Sequence, residues 1–192
     1  MKRLRMSVIV LVSLLGIALS GCQPNPGQLP TESPAPAASA AAGTPSSSEF
    51  GAVIQAAVED RNGTVLDTPP APRLPDGQTT PAYRAKHVRD LPVVARSKAG
   101  FKSHGFWYTS FSTTVTVESV HVDGPAASVH FKEMTALYQA SAAHGPSDVP
   151  ESYSLPQTAT FKAAAQGWQL DSITPSIHNG GLPMSVVDDC CP

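Results

Sequence analysis

With 192 residues, a charged fraction of 15 % and 19 prolines, the chain has room for one ordinary domain joined to stretches that do not pack. Thirteen basic residues face fifteen acidic ones and no basic block is present, so no nucleic-acid partner is expected. Three of the basic residues, Lys2, Arg3 and Arg5, fall in the first five positions, and the mildly acidic remainder has nothing to gain from anionic lipid headgroups.

The chain opens with that short positive segment, followed by an apolar run over Met6–Leu19. The run is shorter than the roughly 20 residues that cross a bilayer as a helix, and it has the form of the apolar stretch of a secretory signal. Leu19-Ser20-Gly21-Cys22 comes next, which resembles the lipobox of bacterial lipoproteins: Leu, two small residues, then Cys. The resemblance implies that the Cys22 thiol receives a diacylglycerol and that the chain is cut before it. Two acyl chains would then hold it on the outer face of the cell membrane, where one chain alone binds only marginally. Residues 1–21 are accordingly expected to be a signal peptide. Residues 22–48, rich in Ala, Pro and Ser, are expected to be a disordered linker with too little apolar area to offset the entropy of ordering. Pro69–Pro75 reads as a loop, and Asn62-Gly63-Thr64 as a turn rather than a glycosylation site.

The folded part is expected over 49–174, with 175–192 as a tail. Ser48 is placed as the cap of a first helix through Phe50, Val53, Ile54, Ala57 and Val58, ending at Asn62-Gly63. A second helix runs from Pro81, breaks at Pro92, resumes through Phe101 and closes at Gly105. From Phe106 the apolar period becomes two. Phe106–Val122 reads as a strand whose parity slips between Val117 and Val120, the mark of a bulge. Asp123-Gly124 then turns into a return strand, Ala126–Tyr138, in which a second slip keeps Met134 and Ala136 on the inner side. A loop leads to a hairpin of Thr158–Ala164 and Trp168–Ile173 turning at Gln166-Gly167, with Trp168 packed inside beside Phe131 and Phe161. Helices followed by a long antiparallel meander give an α+β fold.

The run Tyr108–Gly124, the strand Ala126–Tyr138, and Thr160-Phe161 with Gly167-Trp168-Gln169-Leu170 resemble the nuclear-transport-factor-two-like superfamily, as found in actinobacterial secreted proteins. The resemblance implies a cone: N-terminal helices packed in a strongly bent sheet, with a pocket at the wide end. It also implies a choice between a non-catalytic binding domain and an isomerase or dehydratase.

Within that frame the expected pocket residues are Tyr108, His130, Glu133 and Tyr138. A Tyr108 or Tyr138 hydroxyl could stabilise an oxyanion while Glu133 moved a proton. A buried carboxylate within hydrogen-bond reach of a Tyr would favour the enzyme, and a shallow or apolar pocket would favour binding. No catalytic residue is assigned. The six histidines show no helical i, i+4 pair, so no metal site is expected. With no phosphate loop or dinucleotide fingerprint, no cofactor is expected either. Cys190-Cys191, on the tail, has no scaffold to orient a base. It could close a vicinal disulfide, pair with another chain or bind a soft metal. The expected function is a membrane-anchored extracytoplasmic lipoprotein that binds a cell-wall component, another surface protein or a small apolar ligand. The alternatives are an isomerase-type enzyme and an accessory of a wall hydrolase.

Overall fold

A computed structural model of the chain describes Gly43 and residues 45–177 and 181–187. The expectations for the signal peptide, for Cys22, for linker residues 22–42 and for Cys190-Cys191 lie outside these residues. What is described falls within the unit Ala38–Pro192.

Helix α1 covers Ser47–Gly63, and its cap is Ser46, not Ser48. Counting from Ser46 puts Glu49 at the third helical position, where a carboxylate can reach back. The Glu49 N–H donates to Ser46 Oγ, and the Ser46 N–H donates to Glu49 Oε2 at 2.7 Å, closing a reciprocal capping box. The helix therefore begins two residues before the expected start of the folded part at 49.

Helix α2 covers Pro81–Ser103 without interruption, with Thr80 as its cap. Pro92 does not break it, contrary to expectation. Pro92 and Val88 are both exposed, so the carbonyl that Pro92 leaves without a helical partner is open to water. Gly105, at φ +83°, turns the chain out of the helix, a conformation that Gly adopts without penalty.

Five strands follow: β1 (Phe106–Asp123), β2 (Ala126–Ser141), β3 (Gly145–Pro146), β4 (Glu151–Ala164) and β5 (Gly167–Pro175). They form one antiparallel sheet in the order β1-β2-β4-β5, with β3 beside β2. The fold is α+β, as expected. The register of β1 against β2 shifts between Val117 and Ser119, where the parity slip was read, and again between Tyr108 and Ser110. Both hairpin turns lie one residue away from the expected positions: Asp123 pairs with Ala126 and Ala164 pairs with Gly167. Strand β4 starts at Glu151, taking in residues read as loop.

The larger correction is in β2. From Ala127 to Leu137 its alternation does not slip: Ala127, Val129, Phe131, Glu133, Thr135 and Leu137 all face inward and are buried, while Met134 is 57 % exposed. Keeping the apolar residues inside required a slip; the chain instead keeps its register and turns Glu133 and Thr135 into the interior.

The core lies between α1 and the inner face of the sheet. Phe50, Ile54, Ala57 and Val58 of α1 meet Val129, Phe131, Ala159, Phe161 and Leu170. The Phe50 and Phe161 rings are 4.6 Å apart, and each fully buried side chain of this kind stabilises by about 1.5–3 kcal/mol. Trp168 packs edge-on against Phe50 at 5.9 Å, but is only partly buried. A second cluster joins Val65, Val94, Tyr108 and Leu137 to Met184 and Val187. Residues 181–187, expected to belong to a free tail, therefore pack on the domain, and Ser185 is buried. Two parallel bridges, Leu66 to Tyr108 and Thr79 to Leu170, attach the segments between the helices to the outer strands β1 and β5.

Candidate functional site

Continuing the buried stripe of α1 past Ile54 and Val58 brings its last turn, Arg61 and Asn62, over the inner face of the sheet. There the inward positions have become polar: Thr113 on β1, Glu133 and Thr135 on β2, Tyr153 and Gln157 on β4. The strand register sets Thr113 against Thr135 and Thr135 against Tyr153, one row across three strands.

Glu133 is at the centre and is fully buried. Its Oε2 accepts from Arg61 Nη2 and from Gln157 Nε2, both at 2.5 Å. Its Oε1 accepts from Asn62 Nδ2 at 2.8 Å, from the Tyr153 hydroxyl at 2.8 Å and from Thr135 Oγ1 at 2.9 Å. Arg61 Nη1 also donates to Gln157 Oε1 at 3.0 Å, closing a triangle. Ser185, from the C-terminal segment, donates its hydroxyl to Asn62 Oδ1 at 2.7 Å. A cavity of about 60 Å³ lies beside this segment, between Arg61, Tyr83, Asp90, Ile173 and Ser185.

Burial works against ionisation of Glu133. The Arg61 charge and the hydrogen bonds from Asn62, Arg61 and Tyr153 outweigh it, and hold the carboxyl below its ordinary value of 4.5. Burial, and then the Glu133 charge, push the Tyr153 hydroxyl up to about 12, so it stays a donor. Glu133 is thus an anion facing five donors, while a carboxylate offers about four lone-pair sites. No lone pair is left to take a proton from a substrate.

Of the four residues expected in one pocket, only Glu133 is in this cluster. Tyr108 is buried in the second core cluster, where its hydroxyl donates to Glu151 Oε2 at 3.1 Å; burial and then Glu151 raise its pKa to about 12. His130 is on the outer face of β2, exposed, with its Nδ1 3.0 Å from Thr158 Oγ1. Tyr138 is half-buried, at the register irregularity opposite Ser110, and makes no hydrogen bond to Glu133. The expected constellation of Glu133 with Tyr108 or Tyr138 therefore does not form. Its Tyr partner is Tyr153, which sequence reasoning placed in a loop. Arg61, Asn62, Thr113, Thr135, Gln157 and Ser185 were missed as well. The signal that could have found four of the cluster was unbroken alternation along β2 and helical spacing along α1. Among the described residues there is no group of three or more His, Cys, Asp or Glu placed to hold a metal ion.

The class defined by these features is a two-helix α+β domain with a five-stranded antiparallel sheet and a saturated polar cluster in its interior. No family model matches the chain, and no curated protein does. A similar solved structure is that of the intermembrane space region of the chloroplast protein ARC6. It has 12 % sequence identity and a TM-score of 0.38, and the match covers 69 % of this chain and 97 % of that one.

Proposed function

We propose that the protein is a lipid-anchored extracytoplasmic binding module, held at the outer face of the cell membrane through Cys22. In this reading its sheet wraps the helices as a cone whose wide end does no chemistry. The observation that carries the non-catalytic part is the saturation of Glu133. A general base needs an open lone pair aimed at a substrate and a pKa near the working pH, and Glu133 has five donors and a lowered pKa. The space beside the cluster, about 60 Å³, is well below the 300–1,000 Å³ of ordinary ligand pockets, and the chain's own Ser185, Val186 and Val187 form part of its wall. The anchor reading rests on Leu19-Ser20-Gly21-Cys22 after an apolar run; no described helix is long and apolar enough to cross a membrane. A cell-wall component or another surface protein fits as a partner for a domain so tethered.

The enzyme reading is favoured by one observation, the buried Glu133 carboxylate 2.8 Å from the Tyr153 hydroxyl. Carboxyl carbon NMR of the labelled protein divides the two. A binding module has Glu133 titrating below its ordinary range, whereas titration near neutral pH would make it a base and overturn the non-catalytic reading. For the anchor, Cys22→Ala should abolish incorporation of labelled palmitate and leave the precursor uncut. Continued labelling of that variant would refute lipidation at Cys22.

A further inference from the structure

A second concavity adjoins the small cavity and shares Thr64, Tyr83, His87, Leu91 and Val94 with it. It is a groove of about 640 Å³, within the range of small-molecule sites. One wall is the loop with Pro70, Pro72 and Leu74. The other is α2, presenting Val88, Leu91 and Ala95. Val88 is 65 % exposed and Leu91 40 %, although both are large apolar residues. In all 23 residues of α2, Val94 alone is buried. The helix therefore shows the groove an apolar strip that the domain itself does not cover.

Three of the polar groups around the groove, Asp60, Lys98 and Arg84, are already engaged. Asp60 accepts the backbone N–H groups of Arg73 and Leu74 at 2.8 and 3.0 Å. Lys98 donates to the carbonyls of Thr64 and Leu66 at 3.2 and 2.8 Å. Arg84 donates to the carbonyls of Thr79 and Asp76 at 2.5 and 2.9 Å. A peptide lying here would find those three taken and would bury backbone N–H and C=O groups against the apolar walls of Pro70, Pro72, Leu74, Val88, Leu91 and Ala95, which is costly. A hydrocarbon chain buries nothing that needs a partner. The position of the domain supplies the source: Cys22 precedes the Ser46 cap by 24 residues, which reach at most about 80 Å when extended. A domain on that leash stays within reach of the lipids that hold it.

We propose that the groove between α2 and the Pro70–Leu74 loop binds the acyl chain of a separate membrane lipid. This rests on the binding-module reading and names its ligand class. The test uses the full lipidated chain in phosphatidylcholine vesicles doped with a phosphatidylcholine that carries a photoreactive diazirine near the end of one acyl chain. After illumination, peptide mass spectrometry should place adducts on the Pro70–Leu74 loop and on the part of α2 around Leu91. A carboxylate in the groove, by Leu91→Glu or Val88→Glu, should reduce those adducts about tenfold or more. Both positions are exposed, and unchanged circular-dichroism melting confirms that the variants fold. Val149→Glu, at a position 75 % exposed and outside the groove, should leave labelling unchanged. Adducts absent from the groove, or equally abundant in Leu91→Glu, would overturn the proposal, as would a groove blocked by the protein's own anchor. The intact mass of the same sample reports the diacylglycerol on Cys22. A missing anchor mass sinks the anchor reading; a present anchor without groove adducts sinks the acyl-site proposal alone.

Discussion

Replacing Arg61 by Met removes the only cation that touches Glu133 among the described residues and leaves a fully buried carboxylate facing four neutral donors. Breaking a buried pair from one side typically costs about 3–5 kcal/mol, because the remaining charge keeps its desolvation penalty without its partner. Arg61 is 17 % exposed at its side chain and Glu133 is not exposed at all, so Glu133 cannot relax into water when the guanidinium is gone. Against a total of roughly 5–15 kcal/mol for a domain, that is a large fraction. At a urea slope of about 1–3 kcal/mol/M, the midpoint should fall by about 1–5 M. Glu133→Gln should cost a comparable amount, since it strands the guanidinium. The double variant Arg61→Met/Glu133→Gln should recover about 2 kcal/mol or more relative to the sum, because no unpaired charge is left. The pH dependence follows from the same cluster. In the wild type the folded carboxyl lies below 4.5, so its contribution is complete above that value and is lost as pH falls through the lower folded pKa. In Arg61→Met burial acts without the opposing cation, the carboxyl rises, and the variant should lose stability as pH climbs from acid towards neutral. Urea melts of the four proteins at several pH values measure all of this. Strictly additive single variants, or a shift under about 0.5 M for Arg61→Met, would refute the assignment of the pair as the centre of the cluster.

Three further outcomes are expected. Trp168→Ala removes a partly buried indole from the edge of Phe50 and should lower stability by about 2–4 kcal/mol, below the cost at a fully buried aromatic; an unmoved denaturant midpoint would place Trp168 outside the core. Ser185→Ala takes the donor from the buried Asn62 Oδ1 and should cost about 1–2 kcal/mol, with faster amide exchange in 181–187; unchanged exchange would mean that the segment is held without that hydrogen bond. Gly63→Ala drives a Cβ to 2.8 Å from Pro70 Cδ, a rigid ring atom, and should destabilise by about 1–3 kcal/mol although Ala is the better helix former; a stabilised protein would show that the loop gives way freely.

The α+β class, the element order, the long β1 strand and its bulge near Val117 were all legible, because a period of two and a change of parity are written directly in the residues. The Ser46 cap was also legible, in Ser46-Ser47-Ser48-Glu49, but three consecutive serines hide it unless the Glu49 spacing is used. The interior of the sheet was only partly legible: Glu133 was expected in a pocket, but hydrophobicity places a parity slip there that the strand does not make. Register is a property of the whole ladder: twelve consecutive pairs of β2 with β4 hold Glu133 inward, and a one-residue slip would turn out Val129 and Phe131 as well. The partners from α1, β4 and the C-terminal segment come together only through tertiary packing. Their separations in sequence, up to 123 residues between Asn62 and Ser185, leave no local pattern to read.

The outer strands bear on how the molecules behave side by side. Strand β1 has 18 residues and among the described strands pairs with β2 alone; such a margin is a template for another chain wherever its N–H and C=O groups are free, and here Gln55 already takes the Val115 N–H and the Thr113 carbonyl. Its two register shifts interrupt the straight row of groups that a second strand would need, and the bridge from Leu66 occupies the stretch at Tyr108. At the opposite margin Thr79 bridges to Leu170, and the Thr80 N–H takes the Leu170 carbonyl at 2.9 Å. Irregular, partly occupied sheet margins are poor templates for a second strand, and if the proposed anchor holds the molecules side by side that property keeps neighbouring sheets apart.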